Sequence, residues 1–244
     1  MRLTDQLYLI GSGALGSSLT DIYDCNVYLI DTGGSVLLID SGAGIRPELI
    51  TAEMKKDGFE PERISHLIVT HAHADHSGGA AALQRMTGAR IICSTATAYI
   101  MQSGDEAAVS LPQARRVGMY PPDYKLNAFH PSIEVHHGNK LQVGNLTFEI
   151  IETPGHSADM ISCYIPELKV MFCSDVLFEG GKIAMQVAPD FSMFELANSV
   201  RVLSGYEVEQ LLPGHLSPVM SNGSLLIEQV KHTFDALKIP PNIV

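Results

Sequence analysis

Residues 64–79, ISHLIVTHAHADHSGG, constrain the fold more than any other part of the chain. The first half of this segment is a continuous apolar run, which is typical of a buried β-strand. The second half crowds His71, His73, Asp75 and His76 into six positions. A single histidine at a strand end is commonly structural, but such a cluster is typical of metal ligands. The segment therefore predicts a strand whose C-terminal end carries metal-binding side chains.

The rest of the N-terminal half predicts strands and helices around this segment. Turn residues at 32–34 indicate a hairpin between two apolar runs, and Pro47 and Gly58 mark the start and end of a helix. The predicted elements in chain order are strands at 26–31 and 35–40, a helix at 46–59, the strand at 64–70, a helix at 77–88 and a strand at 89–94.

The C-terminal half repeats this organisation loosely. Two strands flank a Gly-Asn turn in 140–156, a hairpin at 160–175 ends at Asp175, a short strand at 208–215 ends at His215, and 224–238 has helical spacing. Strand-rich halves with interspersed helices predict an α+β fold, with two packed mixed β-sheets and helices outside. No Ser/Gly/Pro-rich linker divides the chain, so we expect a single domain over residues 1–244.

The sequence GSGALG at 11–16 matches the dinucleotide-binding pattern GxGxxG. That pattern has meaning only where a helix begins at the glycines, because the pyrophosphate sits on the helix N-terminus. Here the chain continues towards another strand without a convincing helix. We therefore expect a glycine-rich loop and no nucleotide site.

Further candidate ligands follow strands in the second half. His156 follows Thr-Pro-Gly, Asp175 follows Cys-Ser and His215 follows Leu-Pro-Gly. Side chains at strand C-termini project into loops at one edge of a sheet, where functional sites collect. Imidazole and carboxylate donors suit zinc, iron or manganese.

The motif HxHxDH at 71–76, followed by TPGH, SDVLF and PGH, resembles the metallo-β-lactamase-fold hydrolase superfamily over nearly the whole chain. The resemblance implies an αββα sandwich with two divalent metal ions at one edge. Zinc is expected, and iron and manganese are alternatives. By this resemblance one ion is held by His71, His73 and His156, the second by Asp75, His76 and His215, and Asp175 bridges them.

The same resemblance implies a hydrolase. A metal-bridging hydroxide would attack a carbonyl ester, and the catalytic residue Asp75 would assist proton transfer. Asp175 stands where true β-lactamases of the superfamily carry Cys or Ser, which argues against that activity. Glyoxalase II is similar through TPGH and SDVLFEGGK, and acyl-homoserine lactonases are similar in length. The lactonases often place a tyrosine where this chain has Phe178. We therefore expect a lactone or a thioester of a small to medium metabolite as substrate.

Substrate contacts are harder to predict than metal ligands. Residues 99–131 match no motif and form the expected specificity element, in which Met119 and Tyr120 are candidate substrate-binding residues. Packing or a homodimer contact is an alternative role for this segment. Phe178 and Lys182, which follow Asp175, are further candidates.

Three other functions remain alternatives. Persulfide dioxygenases of the same superfamily use one iron and redox chemistry, and phosphodiesterase-type hydrolases also share the ligands. A non-catalytic metal-binding scaffold would be expected to lack ligands, whereas none of the seven is missing here.

Composition limits the partners. The formal charge of −11 disfavours a nucleic-acid partner, and no apolar run of about 18 residues predicts a membrane span. The start of the sequence does not resemble a signal peptide, and the four cysteines lack a CxxC pair, so we expect a cytoplasmic protein with buried, reduced thiols.

Overall fold

The computed structural model describes residues 1–243 and divides into two compact units, Met1–Val135 and His136–Val244. Each unit contains a mixed β-sheet with its own helices, in agreement with the two sheets predicted from the sequence. The prediction of one domain over residues 1–244 stays a prediction.

The sheet of the first unit has its strands in chain order, from β1 to β6. The first three strands pair antiparallel, whereas the next three are added in parallel. Strands β3 and β4 therefore end at the same edge, which brings the residues after them together. The strands are β1 (Leu7–Gly11), β2 (Val27–Asp31), β3 (Val36–Ile39), β4 (Ile64–Ile68), β5 (Arg90–Ser94) and β6 (Ile133–Val135).

Local sequence signals explain most of these elements. The predicted hairpin is formed by β2 and β3, and Thr32 closes its turn by donating from its backbone N–H and its hydroxyl to the Ser35 carbonyl. The predicted first helix, α1 (Pro47–Lys56), begins at a proline, whose missing N–H is not needed in the first turn. Its end is followed by Gly58 at φ +85°, a conformation that favours glycine.

The predicted helix at 77–88 is interrupted. A short helix α2 (Ala74–Ser77) carries part of the histidine cluster, and α3 (Ala80–Thr87) follows after two glycines. Gly79 passes so close to the end of β3 that a Cβ atom there would overlap the Ser41 carbonyl oxygen. The glycines thus let the cluster approach the neighbouring strand, and this close approach explains the break.

The segment 99–131, which matched no motif, is partly helical, and the rest of it is in turns and irregular structure. It continues α4 (Thr95–Ser103) and contains α5 (Leu111–Arg116). The GSGALG stretch, by contrast, runs from β1 into turns, and α1 is the first helix among the described residues. The structure therefore confirms the glycine-rich loop.

The sheet of the second unit has the order β11-β10-β9-β8-β7. Strands β7 to β10 pair antiparallel in sequence, and β11 is added parallel to β10. Strands β8, β10 and β11 consequently end at one edge. The elements of this unit are β7 (Lys140–Val143), β8 (Leu146–Glu152), β9 (Ile161–Ile165), β10 (Val170–Ser174), α6 (Met193–Leu203), β11 (Gln210–Pro213) and α7 (Gly223–Asp235).

Each unit has its own apolar cluster. In the first unit, side chains from the sheet, α1, α3 and α4 are buried together, and in the second unit the sheet packs with α6 and α7. Burial of this apolar surface is the main favourable contribution to folding. It also gives the strand ends rigid support.

Candidate metal centre

The histidine cluster of the first unit lies directly after β4. The ring centroids of His71 and His73 are 4.6 Å apart, and those of His71 and His76 are 4.1 Å apart. His71 and His76 are buried. Asp75 Oδ2 lies 3.7 Å from His76 Nε2. The structure therefore brings together the four side chains that the sequence predicted from this motif.

A hydrogen-bonded network behind the cluster fixes two of these rings. Asp40 accepts from the Thr70 backbone N–H at 2.8 Å, from the Thr70 hydroxyl at 2.9 Å and from His76 Nδ1 at 2.8 Å. Since the Thr70 hydroxyl donates to Asp40, it accepts from His71 Nδ1 at 3.1 Å. Both Nδ1 atoms carry the proton in this network, so Nε2 is the nitrogen that each ring offers to a metal.

Cys25 lies beside the same ring. Its sulfur, an Asp40 oxygen and a His76 nitrogen lie within 4.8 Å of one another, so the three side chains could also hold a metal. Burial raises the pKa of the Cys25 thiol to about 12. Asp40 already accepts from His76 Nδ1, so two of the three side chains are engaged with each other. These observations favour Cys25 as packing behind His76, as expected for a buried thiol.

The second unit gathers the other predicted ligands around Asp175. Its Oδ2 atom lies 3.3 Å from His156 Nε2 and 3.5 Å from His215 Nε2. All three residues are buried and follow the strands β8, β10 and β11, which end at one edge of the sheet. The sequence predicts each of them at a strand end, and the topology explains why they meet.

The backbone before His156 packs closely against the start of α6. Gly155 has φ +140°, and a Cβ atom there would overlap the backbone nitrogen of Leu196 at the start of α6. His156 Nδ1 lies 3.3 Å from the Ala184 carbonyl oxygen, and Gln186 donates to the His156 carbonyl at 3.0 Å. His156 is thus oriented by residues 184–186.

The C-terminal segment in turn holds residues 183–186. Ile183 donates to the Pro241 carbonyl at 2.9 Å, and the Asn242 side chain pairs with both backbone polar groups of Met185, at 2.9 and 3.3 Å. Sequence reasoning missed this contact, because the paired residues lie 57 positions apart.

We expect Asn242→Ala to loosen residues 183–186. Two hydrogen bonds to Met185 are lost, so the free energy of unfolding falls by about 1 kcal/mol, and exchange of the Met185 amide hydrogen accelerates at least tenfold. Amide hydrogen exchange measures the second effect, with Asn198→Ala, which removes a surface contact to Arg201, as control. Unchanged exchange at Met185 would contradict the role of Asn242.

The donor sets fit divalent cations. Bonds of 2.0–2.1 Å in tetrahedral geometry place ligand atoms roughly 3.3 Å apart, close to the spacing of the Asp175 oxygen and the two imidazole nitrogens. Imidazole and carboxylate donors suit zinc, manganese and iron, and thiolate is not required. The fit supports divalent metal binding but does not select one metal.

The candidate substrate residues have different environments. Phe178 is fully buried, with its ring 6.1 Å from that of His215, and Lys182 is exposed. Met119 is exposed, whereas Tyr120 is partly buried against the core of the first unit. Substrate contact by these residues stays a prediction.

Among the described residues, no helix has the length and apolar character required to cross a membrane.

Comparison with known proteins assigns the family. The sequence model described as "Metallo-beta-lactamase superfamily" matches residues 20–215. An acyl-coenzyme A thioesterase of Gallus gallus is 26% identical over 205 residues, which cover 79% of this chain and 72% of the relative. Hydroxyacylglutathione hydrolase of Pseudomonas aeruginosa is 33% identical over 120 residues, which cover 49% of this chain and only 35% of the relative.

Solved structures show the same fold. A metallo-β-lactamase family protein of Thermus thermophilus aligns with a TM-score of 0.74 and 19% identity, covering 96% of this chain and 81% of that protein. At 19% identity this structural similarity is evidence for the fold alone. It confirms the predicted α+β sandwich class. Together, the match over residues 20–215 and the shared fold show that the chain belongs to the metallo-β-lactamase superfamily.

Proposed function

We propose that the chain is a dinuclear metal-dependent hydrolase of carbonyl esters, with a thioester of a small to medium metabolite as its substrate. The observation that carries the proposal is the pair of histidine–aspartate sets, one after β4 and one around Asp175. The thioesterase and the acyl-glutathione hydrolase among the relatives favour a thioester over a lactone.

The proposed assignment of ligands follows the superfamily pattern. His71, His73 and His156 would hold one cation, Asp75, His76 and His215 the second, and Asp175 would be shared. When bound, two divalent cations would polarise the substrate carbonyl and lower the pKa of water near neutrality.

Asp75 is the carboxylate best suited to move a proton. Its side chain is 21% exposed, whereas that of Asp175 is 3% exposed, so solvent and substrate reach Asp75 more readily. In the proposed reaction the Asp75 carboxylate accepts a proton from the attacking water and passes it to the leaving group. The C–S bond of the thioester breaks, and a carboxylic acid and a thiol are formed.

The buried network supports this role by fixing the rings around Asp75. Asp40 and Thr70 hold the Nδ1 atoms of His76 and His71, which prevents rotation of either imidazole. A fixed arrangement of charged and polar groups lowers the reorganisation needed in the transition state.

The proposal is tested with metal-loaded protein and a substrate panel. Acyl-coenzyme A thioesters, S-lactoylglutathione, γ- and δ-lactones, acyl-homoserine lactones and a β-lactam are each assayed by proton release in a pH-stat. We expect thioester turnover that is lost in Asp75→Ala and kept in Asp123→Ala, which changes an exposed aspartate. Turnover of lactones alone would correct the substrate class.

If the protein binds two metal ions and releases no protons from any substrate of the panel, the proposal of ester hydrolysis is contradicted. One iron per chain with oxygen uptake would instead identify a persulfide dioxygenase-like oxidoreductase. Turnover of phosphodiesters would identify a phosphodiesterase-type hydrolase.

A further inference from the structure

The two ligands proposed for the second cation in the first unit, Asp75 and His76, lie on a helix of a single turn, α2 (Ala74–Ser77). A helix of this length is not stable through its own hydrogen bonds, because forming the first turn costs more than one turn returns. Contacts with other segments of the chain therefore determine where α2 lies. The position of the ligands depends on these contacts.

Two segments hold α2 through its backbone carbonyl groups. The Cys25 N–H, at the end of the glycine-rich loop, donates to the Asp75 carbonyl at 3.3 Å. Ser41, after β3, donates to the His76 carbonyl from its backbone N–H at 2.9 Å and from its hydroxyl at 2.6 Å. The start of the helix, at Ala74, is contacted by a third segment.

That third contact is made by the hydroxyl of Tyr124. The hydroxyl donates to the Ala43 carbonyl at 2.8 Å and lies 3.4 Å from the Ala74 carbonyl. Because a phenol has a single proton, the Ala43 carbonyl is the main acceptor and the longer contact to Ala74 is the weaker one. The hydroxyl thus joins the loop that follows β3 to the start of α2, across 81 and 50 positions of the sequence.

Gly78, the first glycine after α2, shows how closely these groups approach one another. A Cβ atom on Gly78 would lie 2.4 Å from the Tyr124 hydroxyl oxygen, 2.4 Å from the Ala43 oxygen and 2.6 Å from the Ala74 oxygen. A buried carbonyl oxygen that loses its donor is destabilised, and neighbouring carbonyl oxygens repel each other. The phenol O–H is a donor at this point, so it favours the close approach of the loop to α2.

The surroundings of Tyr124 fix its hydroxyl in place. Its ring stacks on that of Tyr120, with the centroids 4.9 Å apart. Arg115 donates to the Tyr124 carbonyl at 2.5 Å and pairs with Glu106 at 2.6 Å, and Glu106 also accepts from the Leu126 N–H at 3.2 Å. Tyr124 is therefore held by its ring and by its main chain as well as by its hydroxyl.

We propose that Tyr124 is a positioning residue whose phenol O–H fixes α2 and, with it, the cation ligands Asp75 and His76. This inference rests on the proposed function for the ligand roles of these two residues. The other ligands of the motif, His71 and His73, precede α2, so the first cation depends less on the phenol. Loss of the hydroxyl is therefore expected to weaken the binding of one cation selectively.

The test compares Tyr124→Phe with Tyr164→Phe in the full chain. Both tyrosines are 8% exposed, and each donates its hydroxyl to the backbone carbonyl of a distant segment, at 2.8 Å for Tyr124 and at 2.7 Å for Tyr164. Tyr164 lies in β9 and its acceptor is the Glu207 carbonyl, so this control removes a comparable buried hydrogen bond and leaves α2 unchanged.

Each variant is examined by two measurements. Zinc-loaded protein is titrated with EDTA, and the zinc retained per chain is determined. Amide hydrogen exchange of the metal-free protein is followed at Gly78, whose N–H donates to the Ala74 carbonyl at 3.0 Å and reports on α2. Val69, whose N–H donates to the Ile92 carbonyl at 2.9 Å, is the reference amide in the sheet.

We expect Tyr124→Phe to release one zinc equivalent at a roughly tenfold lower EDTA concentration, with the other equivalent unchanged. The Gly78 amide should exchange roughly tenfold faster, and the Val69 amide should accelerate less. Tyr164→Phe should keep both zinc equivalents at the wild-type position. In a His76→Ala background, which lacks a ligand of the second cation, Tyr124→Phe should have no further effect on the zinc that remains.

Arg115→Ala is a milder variant that keeps the phenol. It removes the side chain that holds the Tyr124 carbonyl, so it should shift the same zinc equivalent in the same direction by a smaller factor. If Tyr124→Phe does not fold, Arg115→Ala decides the question, and an unshifted EDTA curve then overturns the inference.

The outcomes separate this inference from the proposed function. An EDTA curve for Tyr124→Phe that superimposes on that of the wild type or of Tyr164→Phe overturns the positioning role, even if the protein hydrolyses thioesters. Simultaneous loss of both zinc equivalents would indicate general disruption of the fold and would also overturn it. A selective loss of one equivalent in a protein that hydrolyses no ester supports the positioning role and overturns the thioesterase proposal.

Discussion

Replacing Asp175 by asparagine is expected to lower metal-dependent turnover by about 10³-fold, because Lewis-acid stabilisation by metal is worth several kcal/mol and each ~1.4 kcal/mol is a factor of ten. The substitution preserves the shape of the side chain but removes its charge. Asp175 Oδ2 lies within 3.5 Å of both His156 Nε2 and His215 Nε2, so the lost charge is central to the donor set of the second unit.

Metal content is the primary measurement for this variant. We expect about two metal ions per chain in the wild type and at least one fewer after gel filtration of Asp175→Asn. Asp235→Asn is the control, since it neutralises an exposed carboxylate of the same unit that pairs with Arg201. Wild-type metal content in Asp175→Asn would remove Asp175 from the proposed ligands.

The stability of the metal-free protein shows whether the effect is local. An asparagine amide keeps the volume of the carboxylate and can hydrogen-bond in its place, so we expect the metal-free free energy of unfolding to change by less than about 1 kcal/mol. A much larger change would mean that Asp175→Asn disturbs the fold. Asp175→Glu, which keeps the charge, would then be the comparison variant.

Local signals in the sequence were sufficient to predict much of the secondary structure. The hairpin of β2 and β3 follows from turn residues at 32–34, and α1 from Pro47 and Gly58. Ligand candidates could be placed at strand ends because each one follows an apolar run. These features depend on residues that are close along the chain.

The support behind the ligands depends on distant pairings and was not predicted. Asp40 meets Thr70 because β3 and β4 are parallel neighbours in register, with Ile39 opposite Ile68. The local sequence signal was an aspartate, Asp40, directly after an apolar run. In the structure this residue has φ +62°. The predicted strand at 35–40 includes Asp40 at its end, but the sequence pattern indicates no role for it.

Tyr120 illustrates the same limit in a loop. The sequence singled it out only as an aromatic residue in a segment without motifs. Its ring stacks between those of Tyr23 and Tyr124, so its position depends on two segments about 100 residues apart. No periodicity or turn pattern in the sequence encodes that arrangement.

The network around Asp40 makes Asp40→Asn the most informative variant of the first unit. The carboxylate accepts three hydrogen bonds, two from Thr70 and one from His76 Nδ1. An amide has one oxygen and one NH2 group, so it cannot accept all three. Because the site is buried, the mismatch is expected to lower the free energy of unfolding by about 2–4 kcal/mol.

The same variant should also change the tautomer of His76. If the asparagine NH2 group faces the ring, it donates to Nδ1, and the ring proton moves to Nε2. A protonated Nε2 has no lone pair for a metal, so metal affinity should fall about 10- to 100-fold. Denaturant unfolding of the metal-free protein measures the stability, and retention against chelator measures the affinity.

Asp24→Asn is the matched control for Asp40→Asn. Asp24 is also a buried aspartate of the first unit, and it accepts from the backbone N–H of Ala43 at 2.8 Å and of Asp21 at 3.1 Å. We expect it to lower stability by about 1–2 kcal/mol while the chelator curve stays at the wild-type position. Equal losses of metal in both variants would mean that general destabilisation, and not the His76 tautomer, controls metal binding. A loss confined to Asp40→Asn would show that a carboxylate behind the ring determines which nitrogen is offered to the metal.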